Sequence, residues 1–164
     1  MSGVVAWFTG LPSSGKSTLA GQVAAELRLR GVEAVVLDSD DLRGALVPRP
    51  GYDEQSRANL YGTLARLAAT IARQGHVVLV PATAHRRAFR DAARQLAPSF
   101  IEIFVDTPLE ECKRRDTKGL YANAVAQAPG VGIDYEPPLH PELRVVSDGD
   151  DAAMIANRIE ELLG

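Results

Sequence analysis

The sequence has little of several features that define large classes of protein. It contains a single cysteine, Cys112, so an internal disulfide is excluded and a reducing environment is expected. Its apolar runs are far shorter than the roughly 18 residues that a membrane span needs. The segment Met1–Thr9 lacks the positive charge and the long apolar core of a signal peptide. The sequence therefore predicts a cytoplasmic protein without a membrane anchor.

An excess of charge of one sign is also missing. The formal net charge is −3, with 18 Lys and Arg against 21 Asp and Glu, and the two signs are interspersed. Such a balance gives no basic field for nucleic acid or for an anionic membrane surface. With 164 residues, 46% of them hydrophobic, the chain fits one domain with an ordinary core. We therefore expect a single domain over residues 1–164 that binds neither nucleic acid nor membranes.

Short apolar runs alternate along the chain with segments of helical spacing. The runs predict buried strands at Val4–Phe8, Ala34–Leu37, Val77–Val80, Ile101–Val105 and, more weakly, Leu143–Val146. The helical segments are Ser17–Arg30, Glu54–Gln74, Arg86–Leu96, Leu109–Arg115 and Ala152–Leu163. Because strands that alternate with helices build βαβ units, the expected fold class is α/β. We expect a mainly parallel sheet of about five strands with helices on both faces.

The stretch after the first predicted strand matches G-x-x-x-x-G-K-[ST] at every position. Its residues are Gly10, Leu11, Pro12, Ser13, Ser14, Gly15, Lys16 and Ser17, and Thr18 continues into the predicted helix. Backbone N–H groups of such a loop turn inward around an anion, and the helix N-terminus adds partial positive charge. Lys16 would then reach the β- and γ-phosphates, and the Ser17 hydroxyl would coordinate Mg²⁺. The motif predicts a site for a nucleoside triphosphate.

Acidic residues follow the second predicted strand, at the sheet edge where the phosphate loop also lies. Asp38 and Asp40 can order the water ligands of Mg²⁺ or take a proton from an attacking hydroxyl. The alternative, for one of the two, is a structural helix N-cap. The sequence has no N-K-x-D motif of a guanine-binding GTPase, and Val77–Val80 ends in Pro81 where a motor ATPase usually has aspartate. The combination indicates a small-molecule kinase.

Several segments resemble the adenylylsulfate (APS) kinase family over nearly the whole chain. Besides the phosphate loop and Leu37–Arg43, they are Phe100–Cys112, Arg115–Tyr121, Gly132–Pro138 and Pro141–Leu143, in the family's order. The resemblance implies a P-loop kinase that transfers the γ-phosphate of ATP to the ribose 3′-hydroxyl of APS. The product is the activated sulfate donor PAPS, which belongs to sulfate assimilation. ATP with Mg²⁺ and the small-molecule substrate are the implied partners, and a homodimer is left open.

The resemblance also implies a role for individual residues. The implied nucleotide site comprises Gly10–Thr18 with Arg115, and the implied catalytic residues are Lys16, Asp38 and Asp40. Ser17 is the implied Mg²⁺ ligand, with Asp38 or Asp40 acting through water. The residues implied in acceptor binding are Arg43, Arg57, Lys118 and Ile133. Residues 113–140 would form a lid that closes over the nucleotide and excludes water.

The sequence departs from the family pattern mainly at acceptor positions. Without gaps, a family asparagine becomes Leu60, a basic pair becomes Gly62-Thr63, and an aromatic residue of the lid becomes Gly130. Two alternatives therefore stay open: a kinase for another small alcohol, and a nucleotide-binding regulatory subunit without activity. The retained phosphate loop and acidic residues argue against the second. If APS is the acceptor, Gly130→Phe is expected to tighten binding by restoring a ring that stacks on adenine.

Overall fold

A computed structural model describes residues 1–123, 125–146 and 150–164. Its strands are β1 (Val4–Thr9), β2 (Ala34–Val36), β3 (Val77–Pro81), β4 (Phe100–Val105) and β5 (Leu143–Val145). Its helices are α1 (Lys16–Leu29), α2 (Ser39–Ala45), α3 (Glu54–Arg73), α4 (Arg87–Leu96), α5 (Leu109–Arg115), α6 (Leu120–Asn123) and α7 (Asp151–Leu163), with a 3₁₀ turn at Val125–Gln127. All ten predicted strands and helices are confirmed to within one residue at either end. The short helices α2 and α6 were not predicted.

The five strands form one parallel sheet in the order β2-β3-β1-β4-β5. β1 lies in the centre, where Val4 pairs with Val77 of β3 and Val5 pairs with Phe100 of β4. Every residue of β1 is buried because helices cover both faces of the sheet. The predicted α/β fold is therefore confirmed, and β1 delivers the phosphate loop to the carboxyl edge of the sheet.

Alternate side chains of β1 enter two separate cores. Ala6 and Phe8 pack with α1 and α7 on one face, whereas Val5 and Trp7 pack with α3 and α4 on the other. Trp7 is fully buried, and its indole N–H donates to the carbonyl of Ala82 at 3.2 Å. This bond fixes the chain just beyond β3, at the edge where the acceptor side of the cleft begins. Within the described ranges, no helix has both the length and the apolar composition needed to cross a membrane.

The segment between α5 and β5, predicted as a lid, lies against the phosphate loop. The Tyr121 hydroxyl donates to the carbonyl of Pro12 at 2.9 Å, and the backbone N–H of Thr117 donates to Ser13 Oγ at 3.1 Å. Further along, the carbonyl of Glu136 accepts from Arg90 Nη2 at 2.6 Å. These bonds span large separations in sequence, so the position of the lid depends on the folded sheet.

A buried ion pair holds the end of β3, α4 and β4 together. Arg90 Nε donates to Glu102 Oε2 at 2.8 Å, and Arg90 Nη1 donates to the carbonyl of Ala84 at 2.6 Å. All three guanidinium nitrogens of Arg90 are thus engaged, Nη2 by the lid segment. Because a buried charge without partners destabilises the fold by several kcal/mol, this complete set of bonds favours one position for the chain after β3.

Candidate active site

A cleft of about 320 Å³ opens at the carboxyl edge of the sheet, between the phosphate loop, α2, α3 and the lid. Of the residues predicted for the site, those that line it are Pro12, Ser13, Gly15, Lys16, Ser17, Thr18, Asp38, Asp40, Arg43, Arg57, Arg115 and Lys118. The predicted residues that do not line it are Gly10, Leu11, Ser14 and Ile133. Residues that lie far apart in sequence therefore meet around one space.

The phosphate loop is held tightly between β1 and α1. Gly15 caps α1 in the left-handed region, with φ of 102°, a conformation that glycine adopts without strain. A Cβ at Gly10 would lie 2.5 Å from the carbonyl oxygen of Val105, so a side chain there would push the loop away from β4. The Thr107 hydroxyl donates to the buried carbonyl of Ser14 at 2.7 Å. These contacts hold the loop in its conformation without contacts from a ligand.

The Lys16 ammonium is buried at the phosphate loop and has a lowered pKa. Its ammonium donates to the carbonyls of Gly10 at 3.1 Å and Leu11 at 2.8 Å. Burial of the ammonium, with a smaller contribution from the nearby charge of Lys118, lowers the pKa of Lys16 to about 7. A phosphate group in the loop would supply negative charge and would therefore raise this pKa.

Asp38 joins the phosphate loop to α2. The Ser17 hydroxyl donates to Asp38 Oδ2 at 2.5 Å, while Asp38 Oδ1 accepts the backbone N–H of Asp40 at 2.9 Å and caps α2. The cap therefore belongs to Asp38, whereas the Asp40 carboxylate caps no helix N–H. No group of three or more His, Cys, Asp and Glu side chains is placed to hold a metal ion among the described residues.

The oxygens of Ser17 and Asp38 fit Mg²⁺ bound together with a nucleotide. Mg²⁺ prefers oxygen ligands and usually keeps several waters, with one or two protein groups and substrate phosphates completing its shell. The hydroxyl of Ser17 and the carboxylate of Asp38 face the cleft side by side and provide such groups. The site is therefore suited to a metal that arrives with its nucleotide.

Asp40 forms an ion pair with Lys118 of the lid, across the mouth of the cleft. The two side chains are 48% and 56% exposed, and ion pairs at such positions contribute only about 0–1 kcal/mol. The pair therefore closes the cleft weakly and can exchange for other partners. Lys118 belongs to the lid, and its charge acts on both Asp40 and Lys16.

Two buried arginines, which the sequence predicts to bind the acceptor, line the cleft. Arg43 Nη1 donates to the carbonyl of Gly51 at 2.6 Å, and its guanidinium lies 4.1 Å above the ring of Tyr52. Arg57 Nη2 donates to the carbonyl of Gln127 at 2.7 Å. Among the residues that the structure describes, no acceptor contacts the buried Nη1 of Arg57. Because buried donors normally have partners, this nitrogen indicates a site for an anionic ligand.

Arg115 approaches the phosphate loop from α5. Its Nη1 donates to the carbonyl of Ser14 at 3.3 Å, and its Nε donates to Glu111 at 3.1 Å. Hydrogen bonds from Arg114 and Arg115 lower the pKa of Glu111 to about 2, so this carboxylate stays charged and orients both arginines. The predicted nucleotide-side position of Arg115 thus matches its place beside the loop.

The acceptor side differs from the sequence expectations at the turn after the 3₁₀ helix. Ile133 belongs to this turn, where its N–H donates to the carbonyl of Ala128 at 3.2 Å, and its side chain does not line the cleft. Gly130 has φ of 88°, and a Cβ there would lie 2.5 Å from Leu11 Cδ2. The structure argues against the expectation that Gly130→Phe tightens binding, because a side chain there would strain this backbone and would have to displace the Leu11 side chain.

The other substituted positions also lie outside the cleft. Leu60 is buried, Gly62 faces open space, and neither lines the cleft. Sequence reasoning missed Tyr61, which does line it. The available signal was its spacing, because Tyr61 follows Arg57 by four residues and so lies on the same face of α3.

A phosphate loop at the edge of a parallel sheet, facing carboxylates and buried arginines across a cleft, defines a P-loop kinase. The family model for adenylylsulphate kinase matches residues 2–146. The chain belongs to the adenylylsulphate kinase family.

Individual relatives agree with this assignment. The chain is 42% identical over 145 residues to an adenylyl-sulfate kinase of Synechococcus sp. (strain JA-2-3B'a(2-13)), with 86% of this chain and 83% of the relative covered. It is also 42% identical over 165 residues to the bifunctional enzyme NodQ of Azospirillum brasilense. This match covers 97% of this chain but only 27% of NodQ. The chain therefore spans about a quarter of the length of the bifunctional relatives that it matches.

A solved structure with bound ligands is also similar. The Mycobacterium tuberculosis APS kinase CysC in complex with AMPPNP and APS is 38% identical and superposes with a TM-score of 0.87. The alignment covers 99% of this chain and 98% of that one. The fold, including the segment predicted as a lid, is thus shared along nearly its full length.

Proposed function

We propose that this chain is an ATP-dependent adenylylsulfate kinase that transfers the γ-phosphoryl group of ATP to the 3′-hydroxyl of APS, giving PAPS. The observation that carries the proposal is the cleft itself, which a phosphate loop lines together with a buried arginine whose Nη1 has no partner among the described residues. Family membership and the similar APS kinases support the same choice of substrates. The buried, free Cys112 is consistent with a cytoplasmic location.

The donor side would bind the triphosphate of ATP. Backbone N–H groups of the loop and the N-terminus of α1 favour the phosphate charge, and Lys16 would move from its carbonyl partners to the β- and γ-phosphates. Ser17 and Asp38 would hold Mg²⁺, which when bound neutralises charge on the phosphates. Arg115 would lie beside the nucleotide, next to the loop.

The acceptor side would position the hydroxyl that attacks. Arg57, supported by Arg43 and Tyr52, would bind the anionic phosphosulfate group. Asp40 would accept a hydrogen bond from the 3′-hydroxyl and take its proton as that oxygen bonds to the γ-phosphorus. The bond from the γ-phosphorus to the β,γ-bridging oxygen breaks at the same time, and ADP leaves. For this step Asp40 must exchange its ion pair with Lys118 for the substrate, which the weak, exposed pair permits. The lid would then exclude water from the transfer.

Nucleotide affinity should depend on pH through Lys16. The pKa of Lys16 is about 7 in the structure, and bound phosphate would keep the ammonium charged, so binding above pH 7 must take up a proton. We expect the affinity for MgADP to fall roughly tenfold between about pH 6 and about pH 8. Calorimetry at about pH 8, in buffers with different heats of ionisation, should show this proton uptake.

The control for this experiment is Lys16→Arg, because a guanidinium stays charged throughout this range. If Lys16→Arg binds MgADP, its binding should take up no proton at that pH. A wild-type protein that takes up no proton would contradict the assigned charge state of Lys16.

Removing the guanidinium of Arg57 should mainly weaken acceptor binding. Because Arg57→Ala removes charged hydrogen bonds to the phosphosulfate, we expect the KM for APS to rise at least about tenfold. The KM for ATP should change little, since Arg57 lies on the opposite side of the cleft from the loop. Steady-state kinetics with each substrate varied in turn measures both constants.

The matched control is Arg66→Ala, which removes an exposed arginine from the same helix. Arg66→Ala should leave both constants unchanged. An equal rise of the KM for APS in both variants, or no rise in Arg57→Ala, would speak against the acceptor role.

A coupled assay for ADP release tests the proposed function against its alternatives. APS should stimulate ADP release from ATP, and a panel of small alcohols, including sugars and sugar acids, should not. If ADP release requires another alcohol, that alcohol and not APS is the acceptor. Slow ATP hydrolysis that no acceptor stimulates would favour a regulatory nucleotide-binding protein.

A further inference from the structure

Tyr61 forms part of the cleft wall beside Arg57. The two residues are four apart on α3, so their side chains lie on the same face of the helix. The Tyr61 side chain is 6% exposed, yet it lines the cleft. Its ring packs 5.3 Å from the ring of Phe89 and edge-on to His85 at 6.3 Å. This packing fixes the Tyr61 ring in the wall of the cleft.

The Tyr61 hydroxyl is available as a hydrogen-bond donor. Burial raises the pKa of Tyr61, so the phenol remains protonated at neutral pH, while the charge of Arg57 acts in the opposite direction. The backbone N–H of Ala84 faces the hydroxyl oxygen. A ligand in the cleft that Tyr61 lines can accept this proton.

The same helix turn carries a second donor that lacks an acceptor among the described residues. Arg57 Nη1 is buried and has no acceptor among the described residues. Leu60, which lies between the two donors in sequence, is apolar and does not line the cleft. Tyr61 is therefore the side chain next to Arg57 on α3 that can add a hydrogen bond for a ligand. Two fixed donors on one face match an anion with several oxygens.

We propose that Tyr61 is an acceptor-specificity residue whose hydroxyl donates to an oxygen of the phosphosulfate group beside the one that Arg57 binds. This inference rests on the proposed function, because it takes APS as the acceptor. It adds a neutral donor to the charged one. Because a neutral donor in a fixed position bonds only in one direction, it favours an acceptor with correctly placed oxygens over other anions.

The test is Tyr61→Phe, which keeps the buried ring and removes only the hydroxyl. We expect the KM for APS to rise about tenfold, because a hydrogen bond to a charged group is lost. The kcat, the KM for ATP and the melting temperature should stay near their wild-type values. The matched control is Thr70→Val, which removes an exposed hydroxyl from the same helix, away from the residues that line the cleft. That control should leave the KM for APS unchanged.

Each outcome separates the role of Tyr61 from the proposed function. An active wild-type enzyme whose KM for APS is unchanged by Tyr61→Phe contradicts the role of Tyr61 alone. A parallel rise of the KM for ATP, or a large fall in melting temperature, assigns Tyr61 a structural role and also overturns the inference. A wild-type protein without APS-dependent ADP release overturns the proposed function, and the inference with it.

Discussion

Lys16→Ala is expected to lower the kcat for phosphorylation of APS by about 1000-fold or more. The transferred phosphoryl group carries charge on its oxygens in the transition state, and Lys16 is the phosphate-loop cation placed to stabilise it. The coupled ADP-release assay, run at saturating ATP and APS, measures the loss. Near-wild-type turnover by a folded Lys16→Ala protein would rule out the phosphate loop as the donor site.

Two controls make this result interpretable. Lys113→Ala removes an exposed lysine from α5 and should leave kcat unchanged. The fold of Lys16→Ala should also survive, because the Lys16 ammonium bonds, among the described residues, only to the loop carbonyls of Gly10 and Leu11 and, at 3.5 Å, to Ser14 Oγ. Circular dichroism and the melting temperature check this point.

Asp40→Asn is expected to lower kcat at least about 100-fold, in the range that general bases contribute. The substitution is nearly isosteric, so it removes charge and basicity without changing the size of the side chain. Stability should change little, because Asp38 caps α2 and the ion pair of Asp40 with Lys118 is exposed. Unchanged kcat would contradict the proposed role of Asp40 in the transfer.

Asp41→Asn provides the matched control. Asp41 is the next residue on α2, is exposed, and does not line the cleft. Its substitution should leave kcat and the melting temperature unchanged. Asp38→Asn would be a less clear test, because it weakens both the cap of α2 and the hydrogen bond from Ser17.

The fold could be predicted from the sequence because β1 and β3 are buried on both faces. Such strands appear as short continuous apolar runs, and the glycines after α1 and α3 mark where those helices end. α2 was missed because its seven residues include Gly44 and carry no apolar periodicity. Its N-cap, Asp38, was instead interpreted as a site residue with a possible capping role.

The donor side of the site could be predicted because its residues are contiguous in sequence. The acceptor side depends on contacts between distant segments, such as the bond from Arg57 to Gln127, which lie 70 residues apart. The backbone conformation of Gly130 and its approach to Leu11 have no local signal. Tyr61 has helical spacing to Arg57, but only the folded structure shows that it lines the cleft.

Transfer of the γ-phosphate from labelled ATP to APS is the decisive test of the proposed 3′-phosphorylation. The purified protein with Mg²⁺ should move the label to APS and to its 2′-deoxy analogue, because the proposed acceptor is the 3′-hydroxyl. It should move no label to the 3′-deoxy analogue, and the labelled product should lose its phosphate to a 3′-nucleotidase. Absence of label on APS, or equal labelling of the 3′-deoxy analogue, would contradict the proposed transfer to the 3′-hydroxyl of APS.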